Sequence, residues 1–179
     1  MTKQVYIAAG ARTPMGGLQG DLASLTAVQL GSVAIKDAVK RAGLNGEDID
    51  EIIMGCVLPS GLRQGPARQA GIDAGIPVNV GATTVNKLCG SGMKATMLAH
   101  DLIKAGTNNI MVAGGMESMS NAPYLLPKVR NGMRMGHGEG CLGTFQSRCG
   151  GGHQRCRWAW GRDRFKTSGD SGFRSRSTR

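Results

Sequence analysis

Twice in its first 115 residues the chain repeats one pattern: a helical stretch, the pair Ala-Gly, then an unbroken apolar run ending in Gly. The first copy runs through Ala42-Gly43 to Gly55, the second through Ala105-Gly106 to Gly114. Apolar runs without polar alternation suit strands covered on both faces. Helices alternating with such strands imply βα units around a buried sheet. The expected fold class is therefore α/β, layered, with a mixed sheet covered by helices.

Punctuation and periodicity place the elements. A short β-rich run at residues 5–9 ends at Gly10 and leads into the loop Ala11-Arg12-Thr13-Pro14. Over 24–42, Leu25, Val28, Ala34, Ala38 and Val39 recur at helical spacing, and Gly43 after Lys40-Arg41-Ala42 is a helix stop. Strands are expected at 49–57, 83–86 and 110–113, and helices at 66–74 and 93–105. The glycines at 10, 16, 17 and 20 form no dinucleotide-binding fingerprint.

Near Gly140 the composition changes abruptly. Residues 1–140 hold 13 Lys and Arg against 10 Asp and Glu, while residues 141–179 hold nine against two, so the net charge of +10 sits mostly in the last 39 residues. Those 39 contain no Val, Ile or Met, and Leu142 is their single Leu. So few aliphatic side chains cannot offset ordering entropy by burial, so residues 141–179 are expected to be a basic, disordered tail, with an altered reading frame as one origin. No apolar run reaches the ~18 residues of a membrane span. The opening Met1 to Ile7 has one charge and too short an apolar stretch for a secretory signal. The expected location is cytoplasmic.

Cys89 is the residue with the most chemistry in reach. It follows an expected strand and stands where the next helix begins, between Leu88 and Gly90-Ser91-Gly92. Glycines there allow tight turns and close approach of a substrate. Free N–H groups of a helix start favour the negative charge that a nucleophilic thiolate carries. A small buried core residue is the other reading of a free cysteine. For Cys56, at the end of an apolar strand, core is the expected place.

The residues around Cys89 resemble the thiolase family. Asn86-Lys87-Leu88-Cys89-Gly90-Ser91-Gly92-Met93-Lys94-Ala95 is similar to the family's nucleophile motif, and Val112-Ala113-Gly114-Gly115-Met116-Glu117-Ser118-Met119-Ser120 to a second signature. Arg12-Thr13-Pro14, Pro66-Ala67-Arg68-Gln69-Ala70, Ala122-Pro123-Tyr124 and Gly132-Met133-Arg134-Met135-Gly136 match further stretches in order. The acetyl-CoA acetyltransferase subgroup is the nearest by these motifs. The resemblance implies a thiolase-like fold, N-terminal half only: an α/β domain over 1–120, the start of a loop domain over 121–140, and the unrelated tail.

It also implies an acyltransferase in which Cys89 attacks an acyl-CoA thioester and becomes acylated, with its backbone N–H as an oxyanion donor. A second acetyl-CoA then condenses with the acyl group, or, in reverse, acetoacetyl-CoA is cleaved by thiolysis. No metal or bound cofactor is implied, because coenzyme A belongs to the substrate. The polar loop from Ser60 to Pro66 corresponds to a region near subunit contacts, which implies a homo-oligomer. Family members are about double this length. Their second half supplies a catalytic His, a His that activates the nucleophile, and an acid/base Cys, and no motif here matches those. The chain is accordingly expected to be truncated, to be inactive by itself, and to expose an apolar face where the second half docks. His100, in the helix after Cys89, is expected to be structural, and His137 and His153 are not expected to replace a missing group.

Readings from other classes remain beside this one. The chain could be a noncatalytic CoA- or partner-binding fragment. Its tail sets Arg148, Arg155, Arg157, Arg162 and Arg164 around Trp158 and Trp160, a mixture that can bind nucleic acid by charge and stacking; a solvated polyanion-binding tail is the favoured reading. Cys141, Cys149, His153 and Cys156 lack the repeated short pair of a structural zinc site.

Overall fold

The computed structural model describes residues 4–126, 129–132, 136–142 and 156–160, the last two stretches as backbone. The chain divides into two compact units, Met1–Ala122 and Pro123–Arg179.

In the first unit, local signals set the helix boundaries. Helix α1 spans Ala27–Arg41. Thr26 and Gln29 close its start as a capping box: Thr26 Oγ1 accepts the Gln29 N–H at 3.2 Å and Gln29 Oε1 accepts the Thr26 N–H at 2.9 Å. Its end turns at Gly43 with φ +69°, a conformation that costs other residues more. Strand β1 is Glu51–Gly55, α2 is Pro66–Asp73 with Pro66 in its first turn, and β2 is Gly81–Val85. Helix α3, Ser91–Ala105, stops at Gly106 and is followed by β3, Met111–Gly115.

The three strands form one sheet in the order β2-β1-β3, with Ile53 opposite both Thr83 and Ala113. Both ladders are parallel. The sheet read as mixed is thus parallel in its described strands. Residues 5–9, read as a further strand, form no strand and join no ladder among the described residues, with Tyr6 80% and Ile7 86% exposed.

Strand β1 is central and buried on both faces. Ile52 and Met54 join Val28, Ile35, Ala67, Ala70 and Met116 in the core formed with α1 and α2. Burying a side chain such as Ile52 contributes about 2–3 kcal/mol. On the other face, Gly55 meets the beginning of α3. Helix α3 buries only the stripe Ser91, Ala95 and Ala99, and leaves Met93 and Met97 exposed.

The second unit holds an antiparallel sheet, β4-β5-β6. Strand β4 (Tyr124–Leu125) pairs with β5 (Gly136–Leu142), Tyr124 opposite Leu142. Strand β6 (Cys156–Trp160) pairs with the other edge of β5, Gly136 opposite Trp160. The compositional break at Gly140 falls inside β5. Most of the tail lies outside the described residues, as do residues 133–135.

Candidate active site

In parallel α/β sheets, loops at the carboxyl ends of the strands form the ligand-facing rim. Here that rim collects the exits of β1, β2 and β3. Cys56-Val57-Leu58 follow β1, Asn86 to Gly90 follow β2, and Met116-Glu117 follow β3. Backbone bonds continue the sheet by one residue: the Cys56 N–H donates to Val85 O at 3.0 Å, and the Met116 N–H to Gly55 O at 2.9 Å.

Cys89 is exposed on this rim. It stands one residue before Gly90, the N-cap of α3, so the helix begins two residues beyond it. Its turn is short and heavily bonded. The Leu88 N–H donates to Asn86 Oδ1 at 3.0 Å, the Lys87 N–H to Ser91 Oγ at 2.8 Å, and Ser91 Oγ–H to Leu88 O at 2.5 Å. Leu88 holds φ +50°. That left-handed conformation costs a non-glycine residue about 1–2 kcal/mol and persists only where several bonds impose it.

The turn sits where it does because the strand ends lack side chains. A Cβ on Gly55 would lie 2.4 Å from the Ser91 carbonyl carbon and 2.5 Å from the Gly92 nitrogen. Helix α3 therefore starts in direct backbone contact with β1. A buried Ser91 at that contact supplies two of the three side-chain hydrogen bonds that pin the turn, and Asn86 the third.

The second cysteine has the opposite surroundings. Cys56 is 1% exposed and lies in the core, as its sequence position implied. Burial pushes its thiol up to about 11, and the Glu117 carboxylate beside it, 3.8 Å from Sγ, pushes in the same direction. A thiol so placed stays protonated and out of reach of reagents.

His100 is the only histidine whose side chain is described. It is exposed on α3, with Nδ1 3.0 Å from Asp101 Oδ1. Nine residues beyond the start of α3, it is removed from that start by roughly 14 Å along the axis. With Met93, Thr96, Met97 and Asp101 it lines a shallow open depression of about 420 Å³ on the exposed face of α3. His137 and His153 lie outside the described side chains, as do Cys141, Cys149 and Cys156. Among the described residues no three His, Cys, Asp or Glu side chains gather as metal ligands. Nor is any described helix long and apolar enough to cross a membrane. Of the Arg and Trp residues at 148–164, only the backbone of Cys156–Trp160 is described.

Parallel βα units thus place one exposed cysteine, Cys89, at a strand-to-helix turn. The family model "Thiolase, N-terminal domain" matches residues 5–146, and the chain belongs to the thiolase family. Cytosolic acetyl-CoA acetyltransferase ERG10 of Gibberella zeae is 58% identical over 132 residues, which are 74% of this chain and 33% of that protein. An acetyl-CoA acetyltransferase of Schizosaccharomyces pombe is 52% identical over 136 residues, 76% of this chain and 34% of the relative. Among solved structures, Acat5 thiolase of Ascaris suum in complex with coenzyme A superposes with a TM-score of 0.69 at 45% identity, covering 70% of this chain and 33% of that one. The chain thus spans about a third of the length of the relatives it matches.

Proposed function

We propose that this chain carries the acyl-accepting nucleophile of an acetyl-CoA acetyltransferase, and that the nucleophile is Cys89. The observation that carries the reading is the exposed thiol on a pinned turn at the rim of a parallel sheet, within a sequence 58% identical to an enzyme of that name. The Cys89 sulfur, as thiolate, attacks the thioester carbonyl of acetyl-CoA. A carbon–sulfur bond forms to Cys89, the bond to the coenzyme A sulfur breaks, and coenzyme A leaves as its thiol after taking a proton. The backbone N–H of Cys89 stabilises the oxyanion formed on the way.

The base that deprotonates Cys89 and the acid/base that completes condensation are not assigned to described residues, since His100 lies roughly 14 Å along α3 from the helix start that follows Cys89. The proposal is therefore partial: acylation without sustained turnover. A missing general base costs about 10²–10⁴ in rate. A cytoplasmic location and assembly with further copies of the chain belong to the same proposal; the Gibberella relative is named cytosolic.

The test is mass analysis of the purified chain after incubation with acetyl-CoA. One acetyl group on the Cys89 peptide, absent in Cys89→Ala, is expected, together with no steady thiolysis of acetoacetyl-CoA. Acetylation that persists in Cys89→Ala overturns the assignment of the nucleophile. Steady thiolysis that Cys89→Ala abolishes overturns the claim of partial chemistry. Coenzyme A binding with no acetyl transfer favours a noncatalytic binding fragment.

A further inference from the structure

The three strand exits are joined by hydrogen bonds into a chain that ends at the cysteine turn, and its anchor is a carboxylate to which the acylation step gives no part. Glu117, two residues after β3, accepts the Val57 N–H on Oε2 at 2.7 Å and the Leu58 N–H on Oε1 at 3.3 Å. The Val57 carbonyl accepts from Asn86 Nδ2 at 3.1 Å. Asn86 Oδ1 accepts the N–H of Leu88, the strained neighbour of Cys89, at 3.0 Å. Val57 is therefore held through both of its backbone polar groups, one by β3's exit and one by β2's.

We infer that Glu117 is a positioning residue for Cys89, acting through Val57 and Asn86. Resting on the assignment of Cys89 above, the inference adds a residue about 30 positions along the sequence to the machinery that fixes the nucleophile. The carboxylate suits the task because it offers only acceptors to two converging N–H donors, and bonds to an ionised acceptor are about twice as strong as neutral ones. A Gln at 117 presents an NH₂ group to one of those N–H groups and loses that bond. The far end of the chain is where strength is needed. A left-handed Leu88 relaxes once its Asn86 bond loosens, and the adjacent thiol loses its fixed direction.

Amide hydrogen exchange on the full chain reads this without any acyl transfer. In Glu117→Gln, exchange at Val57 and Leu58 is expected to rise, and exchange at Leu88 to rise by about tenfold as well, with Ile53 in β1 unchanged as the control for folding. The double variant Glu117→Gln/Asn86→Ala is expected to exchange at Leu88 no faster than Asn86→Ala alone, because both changes cut one chain of bonds. Glu117→Asp, which keeps the charge with a shorter reach, lies between the wild type and Glu117→Gln and serves if Gln unfolds the chain.

Acetylation supplies the functional arm: a maximal rate about tenfold lower in Glu117→Gln, at an unchanged half-saturating acetyl-CoA concentration. Faster exchange confined to Val57 and Leu58, or effects of the two substitutions that multiply, overturns the inference. A wild-type chain that takes no acetyl group overturns the assignment of Cys89 instead, and leaves the exchange results to decide the role of Glu117.

Discussion

The exits of β1 and β2 each present a cysteine within four residues of a strand end, yet the two thiols have opposite fates. Cys56 continues the line of β1 into the core, where Val85 O takes its N–H and the Glu117 carboxylate faces its sulfur. Cys89 leaves the sheet, because Asn86 and Ser91 fold the chain into a turn before α3. Strand-end position alone therefore does not decide whether a thiol reaches solvent. What decides is whether the next residues continue the sheet or are bonded away from it.

The contrast breaks most completely at Gly55. A methyl group there collides with backbone atoms of Ser91 and Gly92, which have no side-chain freedom to yield. Gly55→Ala is expected to lower unfolding free energy by about 3 kcal/mol and to move the start of α3 off β1. Chemical denaturation measures the loss; a change within 1 kcal/mol would show that α3 does not bear on β1 as described. The next largest effect is chemical. With its thiol pushed up to about 11, Cys56 holds roughly a hundredfold less thiolate near pH 8 than an ordinary thiol. Burial also keeps the reagent from Cys56 while Cys89 is exposed, so iodoacetamide is expected to label Cys89 at least about a hundredfold faster in the native chain, read by peptide mass. Comparable rates would erase the distinction.

Much of this arrangement is legible in the sequence, for reasons particular to each element. Helix α1 announces itself by period and by Gly43, and β1 by a run too apolar for a half-exposed strand. Cys56 reads as core because it extends that run. The motif around Cys89 marks its turn through local residue types. Residues 5–9 carry the same β-rich composition, yet they join no ladder among the described residues: a strand exists only through a neighbour, and propensity does not supply one. The parallel arrangement of the sheet is likewise a property of pairing, not of any strand alone. Glu117 reads only as a member of a motif. Its bonds reach back about 60 residues to Val57 and Leu58, a separation at which no spacing rule operates.

The exit of β1 also carries a pH dependence of its own. Raising the thiol of Cys56 in the folded chain favours its protonated form there. Both states keep the proton below about pH 9. Above that the unfolded chain ionises first, so stability falls as pH rises toward about 11. The expected loss across that window is roughly 2 kcal/mol. Cys56→Ala should flatten this component in denaturation curves collected from pH 8 to 11, whereas Cys89→Ala should leave it in place. An identical slope in Cys56→Ala would assign the decline to other groups.

The smallest effect lies in the turn itself and separates strain from stability. Leu88 is 62% exposed, so removing its side chain sacrifices little burial. Glycine relieves the left-handed conformation, worth about 1–2 kcal/mol, but gives the unfolded chain freedom worth about 0.4–1 kcal/mol. Leu88→Gly is thus expected to raise stability by roughly 0.5 kcal/mol, a small shift in denaturation midpoint. Its effect on Cys89 should run the other way, because a turn that no longer resists other conformations directs the thiol less firmly. Acetylation of Cys89 by acetyl-CoA should slow by a few-fold in a chain that has become slightly more stable. A variant that gains stability and acetylates faster would mean that Leu88 merely shields the sulfur. A variant destabilised by more than about 1 kcal/mol would mean that its side chain holds the rim together by packing.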